Sequence, residues 1–291
     1  METQYSIQSS KLKVIINTHG AEMISVLDKQ TGFEFMWNGN PEIWNRHAPV
    51  LFPIVGKLNQ NRITIEGKIV EMSQHGFARD CEFEAIEVYE DLLKSMLVSD
   101  DVSLSKYPYQ FKFFITYQVF ENVLETTYTI LNEDVKTMYF SVGAHPGFML
   151  PEANLENYYI EFSDKENLER HLLKDGLFTG ESELLSSNQK QLNLNHELFE
   201  KDAIVFKKLA SKTLSLKKVN SNYCIQLDFD QFPFMGIWTK AGQENFICLE
   251  PWLGIADGCN FNSDISQKEG IVALEPGSDV SFSYKLTFSA D

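Results

Sequence analysis

Two side chains in this sequence are braced in the way that proton transfer requires. Glu250 closes the apolar run 246–249 and precedes Pro251, while His145 follows the run 138–142 and precedes Pro146. A residue before proline is confined to extended backbone. Proline also has no N–H to give to a sheet ladder, so each strand is expected to stop there with a titratable group at its end. A general acid and a general base must reach the same reacting group, which favours side chains on a rigid scaffold. One carboxyl and one imidazole so placed form a candidate acid–base pair. The same contexts also suit a strand-end Glu bonded to a loop and a satisfied loop histidine. Glu275 repeats the Leu-Glu-Pro pattern ahead of Gly277 and Ser278, where an ordinary turn is expected, so the tripeptide alone carries little.

The other histidines raise a rival chemistry. His47, His75 and His145 all lie in Gly- or Pro-marked loops beside expected strands, and three imidazoles on one centre would suit a zinc ion. No HxH or HxxxH pair supports that arrangement, so the acid–base reading ranks above it and no metal is expected. His19, His171 and His196 sit in polar surroundings and read as solvated. Cations gather near the two early loops. Arg46, His47 and Lys57 lie in an apolar, irregular segment broken by Pro49 and Pro53, and His75, Arg79 and Asp80 surround Gly76. Charges in so apolar a segment need partners.

The elements that must carry these groups read as strands. Segment 11–17 alternates, 21–27 and 33–37 follow as strands in hairpin rhythm between turn residues, and 63–72 reads as a hairpin about Gly67. Segment 82–98 alternates again, 100–107 reads as one short helix ending before Pro108, and 111–120 with 123–131 form a hairpin turning at Glu121-Asn122. Further strands are expected at 138–142, 203–206, 213–217, 223–229, 234–239, 271–274 and 280–288. Segment 151–201 is polar and reads as insertions with short strands such as 158–162, one of which is a candidate loop over one face. No repeat, linker or shift of composition divides the chain. The expectation is all-β: one domain, 1–291, of many antiparallel strands in two layers.

Composition narrows the partners. The 291 residues are 43% apolar and 13% aromatic, with 22 Phe and 11 Tyr, which is ample for a strand-built core. A formal net charge of −16 with no basic block argues against nucleic acid and anionic membrane. The first residues contain no apolar signal region and no run approaches spanning length, so a cytoplasmic location is expected. The four cysteines show no CxxC spacing and read as reduced thiols in or beside strands.

Taken together, RHAPVLFPIVGKL, QHGFARD, VGAHPGF and LEPWLGIAD, in that order and spacing, resemble the aldose 1-epimerase (galactose mutarotase) family, and in particular its LacX-like branch. The ends HGAEMISVLDK and LEPGSDVSFSYKLTF resemble the family as well, so the likeness covers essentially the whole chain. It implies a large antiparallel β-sandwich of the galactose mutarotase type with its site in a cleft on one sheet. It implies Glu250 as the base that takes the anomeric proton and His145 as the acid that protonates the ring oxygen. It implies Arg46 and His75 as holders of sugar hydroxyls and Asp202 as a further sugar ligand. Opening a cyclic hemiacetal needs one base and one acid, so no cofactor is expected. An unperturbed imidazole titrates near about 6.5 and could supply the proton, whereas Glu250 must stay ionised and should be ringed by donors. Trp252, Trp238 and Phe77 offer flat surfaces to a sugar's C–H face, or serve as core. Related branches take hexose 6-phosphates, and Arg79 either reaches such a phosphate or pairs with Asp80 or Glu82. The expected ligand is a small-molecule aldose, a hexose or its 6-phosphate. A sugar-binding protein without turnover and a two-carboxylate glycosidase are the competing classes.

Overall fold

Alternation of apolar and polar residues builds two large antiparallel sheets in the computed structural model, which describes residues 3–243 and 245–290. The nine-stranded sheet runs Leu177–Asn193, Tyr158–Lys174, Thr213–Lys218, Cys224–Asp228, Asp279–Ser289, Val123–Asn132, Phe111–Phe120, Leu92–Val98 and Glu84–Val88. The second sheet orders Ile204–Phe206, Phe234–Trp238, Phe246–Trp252, Gly143–Ala144 and Val50–Leu51, with Gly147–Met149 also paired to Phe246–Trp252. Strands Phe111–Phe120 and Val123–Asn132 each bury every second residue, and the buried set joins Ile237, Ile247 and Leu249 of the other sheet in one apolar cluster. The architecture is an all-β sandwich.

Asp101–Lys106 is a single short α-helix. Asp100 accepts from the Ser103 N–H and the Ser103 hydroxyl accepts from the Asp100 N–H, a reciprocal cap that satisfies two orphan donors. Segment 33–37 is not the regular strand that the hairpin rhythm predicts and makes isolated bridges, Glu34 to Leu27 and Met36 to Phe148. The Glu34 carboxylate accepts from the Val26 and Met36 N–H groups at 2.8 and 2.9 Å, while the backbone bonds to Val26 at Phe35 and to Gly147 at Trp37.

The larger departure lies in 151–201. Tyr158–Lys174 and Leu177–Asn193 are 17 residues each and form one long hairpin at the edge of the nine-stranded sheet. Its alternation was hidden because two inward positions are polar. Glu166 is buried accepting from the Ala210 and Ser211 N–H groups, and Arg170 is buried donating to the Leu198 carbonyl. Register shifts between Glu161 and Leu168 break the period further. No helix among the described residues is long and apolar enough to cross a membrane.

Candidate active site

The Phe246–Trp252 strand is buried at all seven positions. It does not stop at Pro251, as the missing N–H predicts, but continues to Trp252, with Pro251 opposite Met235. The reason lies on its other side. The N–H groups of Leu249 and Leu253 point to the Pro146 and Val142 carbonyls. The Pro251 nitrogen lies between them and faces the gap where Gly143–Ala144 and Gly147–Met149 are interrupted by His145-Pro146, so no ladder donor is required there.

That interruption builds the pair. Gly143 lies opposite Trp252 and Gly147 opposite Cys248. A single register across the gap therefore sets His145 opposite Glu250. Nε2 of His145 lies 3.1 Å from Oε2 of Glu250, and the side chains are 12% and 2% exposed. The His145 ring is flanked by Trp44 and Trp238, with centroids at 5.1 and 5.7 Å, and meets the His75 ring edge-on at 5.7 Å.

His75 is held by a backbone loop. Its N–H donates to the Gly56 carbonyl at 2.9 Å, and the Gly56 N–H donates to its Nδ1 at 3.1 Å. Nδ1 is therefore an acceptor, and the neutral ring carries its proton on Nε2, so the Gln74 side-chain amide 3.2 Å away must turn its oxygen toward the ring. The turn needs Gly76, where φ is +75° and a Cβ would fall 2.2 Å from the Phe52 carbonyl oxygen.

His75, His145, Asp202, Arg79, Glu250 and Trp252 line one cleft of about 380 Å³. Asp202 adopts φ +77° and accepts from the Ala203 N–H at 2.7 Å. Arg79 donates to the Gln74 carbonyl at 2.7 Å, and its Nε lies 4.0 Å from the Asp80 carboxylate, the pairing with Asp80 that the sequence offered. Trp252 lies across two glycines, since a Cβ on Gly143 or Gly236 would come within 2.7 Å of its ring. Arg46 is not among the lining residues. Its guanidinium is engaged by the Asp80 carboxylate and the Arg79 carbonyl, behind the cleft wall. Phe77 is likewise outside the lining, and His47 packs against Gly39, so the three loop histidines do not surround one centre.

Trp44 and the tip of the long hairpin went unread in the sequence. Leu173, Gly176 and Phe178 line the cleft. The tip is tied down by Lys57 Nζ to the Asp175 carbonyl at 2.9 Å and by the Phe178 N–H to the Asp257 carbonyl at 2.9 Å. Asp257 is itself buried against Lys268 at 2.5 Å and accepts from the Asn59 N–H. Asp175-Gly176 was the available turn signal for the tip, and Trp44 stands two residues before Arg46.

Burial sets the protonation of the pair. It pushes His145 down to about 3, with the Arg79 charge acting in the same direction. It pushes Glu250 well above the usual carboxylate range, helped by the Asp202 charge. His75 is also pushed well down, by burial first and then by His145 and Arg79. Of the donors expected about Glu250, the Trp252 side chain pulls its carboxyl back the other way, and Oε2 faces Nε2 of His145 at 3.1 Å. The empty site thus favours a neutral carboxyl beside a neutral imidazole, with one proton to share between them.

Comparison with known proteins shows the family and the fold. The profile of the aldose 1-epimerase family matches residues 3–264. Protein LacX (chromosomal) from Lactococcus lactis subsp. lactis is 31% identical over 97% of this chain and 98% of its own. A galactose mutarotase related enzyme from Lactobacillus acidophilus superposes with a TM-score of 0.95 at 34% identity, over 99% of this chain and 98% of that one. A galactose mutarotase-like protein from Lactobacillus casei gives 0.93 at 28% identity, over 99% and 100%. A family model matched over residues 3–264, with a relative 31% identical across 97% of the chain, places this protein in the aldose 1-epimerase family.

Proposed function

We propose that the protein is a cofactor-independent aldose 1-epimerase that interconverts the α and β anomers of a hexose. The observation that carries this reading is the 3.1 Å approach of His145 to Glu250 in a cleft of sugar size. Moving the shared proton from Glu250 to His145 leaves a carboxylate and an imidazolium. Glu250 then takes the proton from O1 while His145 protonates the ring oxygen, the C1–O5 bond breaks, and the aldehyde forms. The pair is now neutral on both sides, which is the state that burial favours in the empty cleft. Rotation about C1–C2 and the reverse transfers close the ring on the other face. His75 presents an Nε2–H to a sugar hydroxyl, Asp202 accepts from one, and the Trp252 ring faces the sugar's C–H side. The four free cysteines fit a reducing, cytosolic setting.

A second reading keeps the chemistry and changes the substrate to a hexose 6-phosphate. It is favoured by the Arg79 guanidinium in the cleft lining, whose Nε has the Asp80 carboxylate no nearer than 4.0 Å. Polarimetry of freshly dissolved α-glucose, α-galactose and α-glucose 6-phosphate tests both readings. Glu250→Gln is expected to lower the catalysed rate by about 10²–10⁴-fold with the fold intact. An unchanged rate in that variant removes the proposed base. Arg79→Ala should slow only the phosphorylated sugar if the second reading holds.

A further inference from the structure

Cys248 stands two residues before Glu250 on the same face of the same strand. It is fully buried, and the acid–base chemistry leaves it unused. Its Sγ, a ring nitrogen of His145 and a carboxylate oxygen of Glu250 all lie within 4.8 Å of one another. We propose that these three side chains form a binding site for one thiophilic divalent cation, zinc or its analogues cobalt and cadmium, and that occupancy of this site switches the acid–base pair off.

Three observations converge on this cation class. The donor set is one sulfur, one imidazole nitrogen and one carboxylate oxygen, the ligand types that zinc takes in tetrahedral sites. Zinc–ligand bonds of about 2.0–2.3 Å put neighbouring donors about 3.5 Å apart. Closing the trio therefore needs side-chain shifts of little more than about 1 Å from the 4.8 Å limit. Nδ1 of His145 is buried with no hydrogen-bond partner among the described residues, and Oε2 of Glu250 meets Nε2 of His145 at 3.1 Å, a contact that the entering cation replaces. Charge also balances: a thiolate and a carboxylate neutralise a divalent cation, so the buried site carries no net charge.

Access and consequence follow from the packing. Cys248 clusters with Trp37 and Phe246, with Trp238 packed alongside, whereas His145 and Glu250 line the cleft. A cation entering from the cleft meets the imidazole and carboxyl first and the thiol behind them. The fourth coordination position faces the cleft and is left to water. Binding releases the thiol proton and the proton shared by the pair, so affinity falls as pH is lowered. With the cation seated between them, neither His145 nor Glu250 can exchange a proton with a sugar. This last step rests on the proposed function; the binding step does not.

The test is a titration of the chelator-free full chain with Co²⁺. Thiolate-to-cobalt charge-transfer absorption is followed, and mutarotation is assayed in parallel. The expected result is one Co²⁺ per chain with a charge-transfer band. That band should survive Cys259→Ser, which removes the exposed thiol, and disappear in both Cys248→Ala and Cys248→Ser. Glu250→Gln should weaken Co²⁺ binding by about 10–100-fold. Inhibition of mutarotation should track the band and be lost in Cys248→Ala. No band in the wild type, or one that persists without Cys248, overturns the site. A band at one equivalent in a protein that turns over no hexose supports the site and removes the proposed function instead.

Discussion

Protonation of His145 tests the buried pair without any substrate. Burial holds the folded imidazole at about 3, whereas in the unfolded chain it titrates near about 6.5. The folded form binds this proton less well. The contribution to stability therefore rises with pH between the two values and is lost as pH falls from 6.5 toward 3. At pH 5 the unfolded imidazole is almost fully protonated and the folded one is not, which costs about 2 kcal/mol. At pH 7 the cost is only about 0.2 kcal/mol. The pH 5 figure hardly depends on where below 5 the folded value lies, because it is set by the unfolded form. Glu250 has the opposite sign: its folded value is raised, so its contribution falls as pH climbs above the ordinary carboxylate range. The comparison is therefore made with His145→Asn, which keeps Glu250. Equilibrium urea unfolding at pH 7 and pH 5 should show wild type losing about 2 kcal/mol relative to His145→Asn on acidification. A resting imidazolium–carboxylate ion pair predicts the reverse, with wild type gaining on the variant. No difference, or a difference of that opposite sign, refutes the neutral pair.

Two further outcomes follow from the same geometry. The pair works with one proton, so the rate of mutarotation should be level across neutral pH. It should fall on the acid side only near pH 3, where His145 takes a second proton, and on the alkaline side as Glu250 loses its own; a limb near the ordinary imidazole value would contradict this. Gly236→Ala puts a Cβ 2.7 Å from the Trp252 ring and 3.2 Å from the Glu250 Cβ. It should cost about 1–3 kcal/mol in urea unfolding and weaken sugar binding measured by calorimetry.

Much of the fold was open to reading because its strands alternate cleanly. Segments 111–120, 123–131 and 213–217 emerge within a residue of Phe111–Phe120, Val123–Asn132 and Thr213–Lys218. The long hairpin was not open to reading, since Glu166 and Arg170 occupy inward positions and satisfy themselves on backbone groups from distant segments. Hydrophobic period cannot mark a buried residue that is charged. Segment 33–37 failed for another reason: it bonds first to 26–28 and then to 147–149, with the Glu34 side chain taking the Val26 N–H, so it makes bridges and no continuous ladder.

For the site, residue types and their proline braces were legible in the chain, as were the three motifs that hold Glu250, His145, His75 and Arg79. Tertiary structure alone decided how they meet. The register that sets Gly143 against Trp252 and Gly147 against Cys248 is a property of paired strands more than 100 residues apart in sequence, and it alone puts the imidazole opposite the carboxyl. It also decided that Arg46 backs the wall through Asp80 and that Leu173, Gly176 and Phe178 close the cleft. Protonation was decided there too. A sequence names an acid and a base by their ordinary pKa values, but desolvation by the surrounding chain reverses which of the two holds the proton at rest.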